Sequence, residues 1–169
     1  MIPIVSIVGK SDAGKTTLLE KVVRELKDRG YRVATIKHDA HSFDIDHPGK
    51  DSWRHKNAGA CLTIISSPTK LALVADTDHD HSLGELRERF IHDADIILSE
   101  GYKRETHPKI EVFRSELRQE LLCKDDDHLI AIAGDPSVPP PGIPVFDLND
   151  PKELCDFLEE RYLKKGSGR

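Results

Sequence analysis

Gly9, Gly14, Lys15 and Thr16 stand at the spacing Gly-x-x-x-x-Gly-Lys-Ser/Thr, within Gly9-Lys10-Ser11-Asp12-Ala13-Gly14-Lys15-Thr16. A segment of this type folds so that successive backbone N–H groups converge on phosphate oxygens, and its glycines permit that approach. Contacts to a nucleoside triphosphate are therefore expected from Gly9, Ser11, Asp12, Ala13, Gly14, Lys15, Thr16 and Thr17. Lys15 brings a point charge to the outer phosphates, and the Thr16 hydroxyl suits Mg²⁺. A helix after the loop aims its positive N-terminal end at the anion. The flanks agree: Ile4 to Val8 is an apolar, β-branched run, and Leu18, Leu19, Val22, Val23 and Leu26 form a helical stripe over 15–29. An ordinary glycine turn would require neither flank.

Such a loop needs a carboxylate at the end of another strand to steady Mg²⁺. Asp95 and Glu100 flank the strand expected at Ile96 to Ser99. Ligands gather at the carboxyl ends of parallel strands, so Glu100 is the expected metal residue and Asp95 lies at the wrong end. The polar segment Lys37 to Ser52 leaves the second strand at that same edge. Within it Asp39 or Asp51 could reach the Mg²⁺ shell as switch-loop carboxylates do, Asp39 being the preferred candidate. A competing chemistry is a Zn²⁺ or Ni²⁺ site built from His38, His41 and His47, with His79 and His81. The remaining reading of this segment is a solvated loop.

Strand and helix signals alternate along the chain. Further strands are expected at Tyr31 to Ile36, Leu62 to Ser66, Ile110 to Phe113 and Leu129 to Ala133. Leu71 to Ala75 is expected to return as a hairpin partner after the turn at Ser67 and Pro68. Helices are expected at Ser52 to Ala60, at Leu83 to Ile91 and from about Asp150, where Asp150, Pro151 and Glu153 form a capping-box pattern. Five prolines make 136–144 a rigid connection. The alternation predicts a three-layer α/β fold of the P-loop NTPase type, with a mainly parallel sheet and a β-hairpin insertion. One domain is expected over 1–165, followed by a frayed tail at 166–169.

The chain has 169 residues, 37% hydrophobic and 33% charged, with a net charge of -5, which argues against a nucleic-acid backbone as partner. No stretch approaches the roughly 20 apolar residues of a membrane span. Met1 to Val8 lacks the features of a signal peptide. Cys61, Cys123 and Cys155 form neither a disulfide framework nor a paired zinc motif. The expectation is a cytoplasmic protein.

Taken together, these strings resemble the MobB family, the GTP-binding adapters of molybdopterin-guanine dinucleotide biosynthesis. The resemblance is carried by Gly14-Lys15-Thr16-Thr17-Leu18-Leu19, Ile36-Lys37-His38 and Asp46-His47-Pro48-Gly49-Lys50-Asp51-Ser52. It continues through Ala58-Gly59-Ala60, Ile97-Leu98-Ser99-Glu100-Gly101-Tyr102-Lys103 and Phe146-Asp147-Leu148-Asn149-Asp150. It implies a homodimer that binds GTP, hydrolyses it slowly, and assists the molybdopterin guanylyltransferase that attaches GMP. The other assembly proteins of molybdenum enzymes are implied partners too. The alternatives are a GTPase metallochaperone for nickel or zinc and a small-molecule kinase, the latter needing an Arg-rich lid. The Asn-Lys-x-Asp element with which many GTPases select guanine is absent; Asp135 is its best substitute, since a carboxylate accepts from the guanine amino and ring N–H groups. Lys10 resembles the signature lysine of the dimeric P-loop class that includes the nitrogenase iron protein and septum-site ATPases. That lysine reaches the partner's phosphates; the plainer reading is a solvated surface lysine.

Overall fold

The run Ile4-Val5-Ser6-Ile7-Val8 is buried throughout, as a strand must be when both faces of its sheet are covered. The computed structural model describes residues 1–39, 43, 45–117 and 120–163. The tail at 166–169 and His41 lie outside the described residues. By its internal contacts the chain divides into two compact units, Met1–His38 with Ser82–Arg169, and Asp39–His81. The single domain expected over 1–165 is described below as these two units, each by itself.

The first unit holds a six-stranded sheet. Its strands are β1 (Ile4–Val8), β2 (Val33–Lys37), β5 (Ile96–Glu100), β6 (Lys109–Phe113), β7 (Leu129–Gly134) and β8 (Val145–Phe146), in the order β2-β5-β1-β6-β7-β8. Every pairing between them is parallel. The two-residue period of the strands sorts side chains to two faces. Val5, Ile7, Leu98, Ile110, Val112, Ala131 and Ala133 pack with Leu18, Val22 and Leu26 of helix α1 (Lys15–Asp28) and Leu154 and Leu158 of helix α4 (Lys152–Leu158). On the opposite face Ile4 and Ile97 meet Leu83 of helix α3 (Leu83–Phe90), while Val8 and Ile132 meet Cys123. Three layers result, the α/β P-loop architecture the sequence predicts.

The second unit contains α2 (Asp51–Asn57) and an antiparallel hairpin of β3 (Leu62–Ser66) and β4 (Leu71–Ala75). Ser67 closes its turn, accepting from Lys70 N–H at 3.0 Å. Lys56 fastens α2 to the hairpin through Asp76 at 2.5 Å and the Ala60 carbonyl at 2.8 Å. Leu62, Ile64, Ile65, Leu71 and Leu73 of this hairpin are exposed.

Several boundaries differ from the sequence reading for local reasons. β2 starts at Val33 because the Tyr31 N–H turns back to Leu26 O at 3.0 Å, closing α1. α4 starts at Lys152, with Pro151 at the cap and no reciprocal capping box. Asp150 instead accepts the Lys152 N–H at 3.1 Å. The capping box of this fold lies on α3, between Ser82 and Glu85. α2 is shorter than expected, ending at Asn57 where the Lys56 ammonium takes the Ala60 carbonyl. β5, β6 and β7 each gain a terminal residue, so Glu100 itself is part of β5.

Lys109 opens β6 as an almost fully buried cation, its ammonium 2.5 Å from Asp126. Asp126 also accepts the His128 N–H at 2.9 Å. Burial alone would raise the Asp126 pKa, but Lys109 and the His128 N–H outweigh it and hold it below the usual carboxylate value. A carboxyl depressed in this way stabilises the fold above its unfolded pKa, and that contribution is lost as pH falls through the folded value. Removing it with Asp126→Ala strands a buried ammonium and should cost about 3 kcal/mol in urea unfolding at neutral pH. Asp126→Asn should in addition remove part of the acid sensitivity of stability; an unchanged profile would mean that the pair contributes nothing.

Candidate functional site

The chain leaves β1 at Gly9, where φ is +144° and a Cβ would stand 2.6 Å from the Val112 carbonyl oxygen. Any side chain would push β1 and β6 apart at their carboxyl ends. From β1 the chain proceeds toward β2 on one side of the sheet, and from β6 toward β7 on the other. Adjacent strands whose connections diverge leave a crevice between their carboxyl ends, the usual ligand position in an open parallel sheet. The loop from Gly9 to Gly14 lies at that crevice.

Asp12 at φ 62° and Gly14 at φ 100° bend the loop, and Gly14 caps α1 in the left-handed conformation. No side chain caps this helix and its first turn carries no acidic residue. The N–H groups of the first turn have no acceptor inside the helix, and together with the helix dipole they favour an anion. The Lys15 ammonium folds across the loop to the Lys10 carbonyl at 2.7 Å, which keeps its charge at the mouth of the cradle. Ser11, Asp12 and Thr17 are exposed around it, whereas Ala13 is buried and anchors the loop in the core.

Thr16 and Glu100 meet. The Thr16 hydroxyl lies 2.9 and 3.0 Å from the two Glu100 carboxylate oxygens, although 84 residues separate them in sequence. β5 pairs with β1 in a register that sets Glu100 beside Ile7, so the acid emerges next to the phosphate loop. A hydroxyl and a carboxylate in contact are hard oxygen donors, the kind Mg²⁺ takes alongside phosphates and water. The residues present therefore fit a magnesium-bound triphosphate. Asp95 stands at the other end of β5, where it receives the Arg32 N–H at 2.7 Å and serves the connection into β2.

The remaining sequence candidates fall at different places. Lys10 gives its carbonyl to Lys15, and its charge helps keep Glu111 ionised against the burial that raises that carboxyl's pKa. Glu111 is itself tied to the backbone, accepting the Leu122 and Cys123 N–H groups at 2.7 and 2.9 Å. Asp135 follows β7 and engages Ser115, from whose N–H it accepts at 2.8 Å and from whose hydroxyl at 2.5 Å. Asp39 and Asp51 belong to the second unit. So do His47, His79 and His81; the last two rings meet edge to face at 4.2 Å, and His79 Nδ1 lies 2.6 Å from Asp78. His38 belongs to the first unit, where its N–H donates to the Glu100 carbonyl at 3.0 Å and its ring lies 4.7 Å from that of Tyr102.

Two contributions escaped the sequence reading. The His38–Tyr102 ring contact lies beside the end of β5, and its only signal was the occurrence of both residues in family-like strings. Arg114 lies against the loop, its Nε donating to the Ala13 carbonyl at 3.0 Å, and no local pattern announced it.

If Thr16 and Glu100 share a magnesium ion, Glu100→Gln should weaken the Mg²⁺ dependence of nucleoside-triphosphate binding by about tenfold or more. Asp95→Asn should leave that dependence unchanged. Calorimetric titrations across a Mg²⁺ series check this, and the reverse ranking would remove Glu100 from the metal site.

Comparison with known proteins agrees with this fold. The family model described as MobB, molybdopterin guanine dinucleotide synthesis protein B, matches residues 4–135. The chain is 37% identical to a molybdopterin-guanine dinucleotide biosynthesis adapter protein of Haemophilus influenzae, over 94% of this chain and 88% of that one. It is also 37% identical to the adapter protein of the same name from Escherichia coli, over 99% of this chain and 97% of that one. The crystal structure of Bacillus subtilis MobB superposes with a TM-score of 0.73 at 26% identity, covering 95% of this chain and 98% of the other. With the family model matching residues 4–135 and two relatives 37% identical over nearly its whole length, the chain belongs to the MobB family.

Proposed function

We propose that this chain is a GTP- and Mg²⁺-binding adapter, at most a slow GTPase, that assists the attachment of GMP to molybdopterin in molybdenum cofactor biosynthesis. The observation that carries the nucleotide part is the Thr16–Glu100 contact at the mouth of the loop, a ready pair of magnesium donors beside Lys15. The pathway part rests on the relatives, which are named as adapter proteins of molybdopterin-guanine dinucleotide biosynthesis. The partners in this reading are the molybdopterin guanylyltransferase and the assembly proteins of molybdenum enzymes. A homodimer is supported by the apolar side chains that the hairpin of the second unit exposes, Leu71 at 72% and Ile64 at 55% among them. No helix among the described residues is long and apolar enough to cross a membrane.

The metal-delivery alternative draws on the His79–His81 ring contact. Stoichiometric Ni²⁺ or Zn²⁺ binding that disappears in His79→Ala, His81→Ala protein would favour it over the adapter.

The adapter reading is tested by titrating GTP and ATP in the presence of Mg²⁺, with and without the guanylyltransferase. GTP should bind more tightly than ATP and promote the complex. Lys15→Ala should lower triphosphate affinity by at least about tenfold without unfolding the protein, since a charge-assisted contact is worth about 1.5–3 kcal/mol. Unchanged affinity in that variant would remove the site.

Lys10 is proposed to reach the phosphates of a partner subunit, like an arginine finger supplied in trans. Lys10→Ala should then reduce GTP turnover far more than GTP affinity. In mixed dimers with Lys15→Ala chains, one competent site should return. Wild-type turnover in the single variant would leave Lys10 as surface.

A further inference from the structure

Arg114 is the first residue beyond β6, at the crevice between the carboxyl ends of β1 and β6. Its guanidinium spans three neighbours. Nε donates to the Ala13 carbonyl at 3.0 Å, Nη1 lies 3.1 Å from Glu116, and Nη2 stands 3.4 Å from where a Cβ on Gly14 would be. One planar cation therefore holds the phosphate loop at the Ala13 carbonyl and lies against Gly14, the two residues before Lys15. An arginine suits the task because its donors are fixed in a plane and its charge is permanent.

The grip has a backstop. Ser115, the next residue, is held by both oxygens of Asp135, which accept its N–H at 2.8 Å and its hydroxyl at 2.5 Å. The exit of β7 thereby fixes the exit of β6. β6 and β7 are paired up to Phe113 and Gly134, so the two exits are neighbours in the sheet. A carboxylate occupied in this manner is turned toward the turn it anchors.

From this the geometry points to Arg114 as a positioning residue that holds the phosphate loop in its binding shape, with Asp135 acting through Ser115 on that arginine rather than reading the base. The inference rests on the nucleotide-binding reading above and deepens it. It assigns the carboxylate after β7 to the phosphate half of the site. The chemical consequence is specific: loss of Asp135 should weaken every triphosphate alike, with no change in base preference.

Xanthosine triphosphate separates the two roles. Xanthine carries a carbonyl where guanine carries its amino group, so Asp135→Asn would shift preference toward it if residue 135 faced the base. The test titrates wild type, Arg114→Ala, Asp135→Asn and the double variant with GTP, ATP, xanthosine triphosphate and inorganic triphosphate, all with Mg²⁺. Arg114→Ala should weaken all four probes by a common factor of about tenfold, the scale of a lost charge-assisted hydrogen bond. Asp135→Asn should weaken all four by a smaller common factor. The double variant should bind no worse than Arg114→Ala alone, because two residues on one route are not additive. Amide hydrogen exchange over 10–16 in nucleotide-free protein should be faster in both single variants. Arg114→Lys, a milder change, should show the same faster exchange if the alanine variant proves too unstable.

Inorganic triphosphate bound by Arg114→Ala as by wild type would overturn the inference. So would an Asp135→Asn protein that loses GTP and gains xanthosine triphosphate. Wild-type protein that binds none of the probes would instead remove the nucleotide reading, and the exchange rates of 10–16 would then decide the latch on their own: unchanged rates would sink it.

Discussion

Two strands approach so closely at the center of the sheet that no side chain fits between them. At Gly9 a single methyl group would come within 2.6 Å of the Val112 carbonyl. Because β1 and β6 close at that point, the chain that leaves β1 must pass over the strand ends before it can start α1. The phosphate loop is the shape of that passage. Ala13, buried at 2% exposure, fixes its far side in the core, and Gly14 turns it into the helix. The result is a helix N-terminus without a side-chain cap at the strand ends, an arrangement that favours an anion.

Charge is distributed around this passage with a definite sense. All six strands run the same way, so a residue's position along its strand decides whether it can meet a ligand. Asp95 precedes and Glu100 ends the same short strand, yet Glu100 meets Thr16 and Asp95 holds the backbone of Arg32. The acid at the ligand edge offers its oxygens to a hydroxyl, which a metal ion can replace or join. The acid at the opposite edge is spent on structure. Lys109 and Asp126 make the same division on β6, whose start holds a half-buried ion pair and whose exit presents Arg114 to the loop.

The two compact units solve different problems. In the first, apolar residues of both strand faces are covered, by helices and by the connecting segments around Cys123 and Ile143, with Val5, Ile7, Ile97 and Ile132 fully buried. In the second, a two-stranded hairpin leaves leucine and isoleucine side chains in solvent, Leu71 at 72% exposure. A hairpin of this kind has no second layer of its own and is marginal as an isolated element. Exposed apolar surface on such an element is characteristic of association sites.

The sequence by itself determined whatever depends on neighbours along the chain. The glycine-lysine-threonine spacing, the apolar run before it and the stripe of Leu18, Leu19, Val22 and Leu26 are local patterns, and local sterics and periodicity suffice to read them. The hairpin was legible for the same reason, as was the position of Glu100, and not Asp95, at the carboxyl end of β5. Helix caps were less so: Asp150 and Glu153 had the pattern of a capping box, but Ser82 and Glu85 form it, because the cap depends on which residue the packing leaves at the helix start. Tertiary structure alone decided the strand order, and with it every contact across the crevice. Thr16 touches Glu100 across 84 residues, Arg114 touches Ala13 across 101, and Asp135 holds Ser115 across 20. No local pattern encodes those meetings. They exist because β1 is placed between β5 and β6, and β6 beside β7, an arrangement fixed by the burial of two sheet faces at once and not by the residues adjoining each contact.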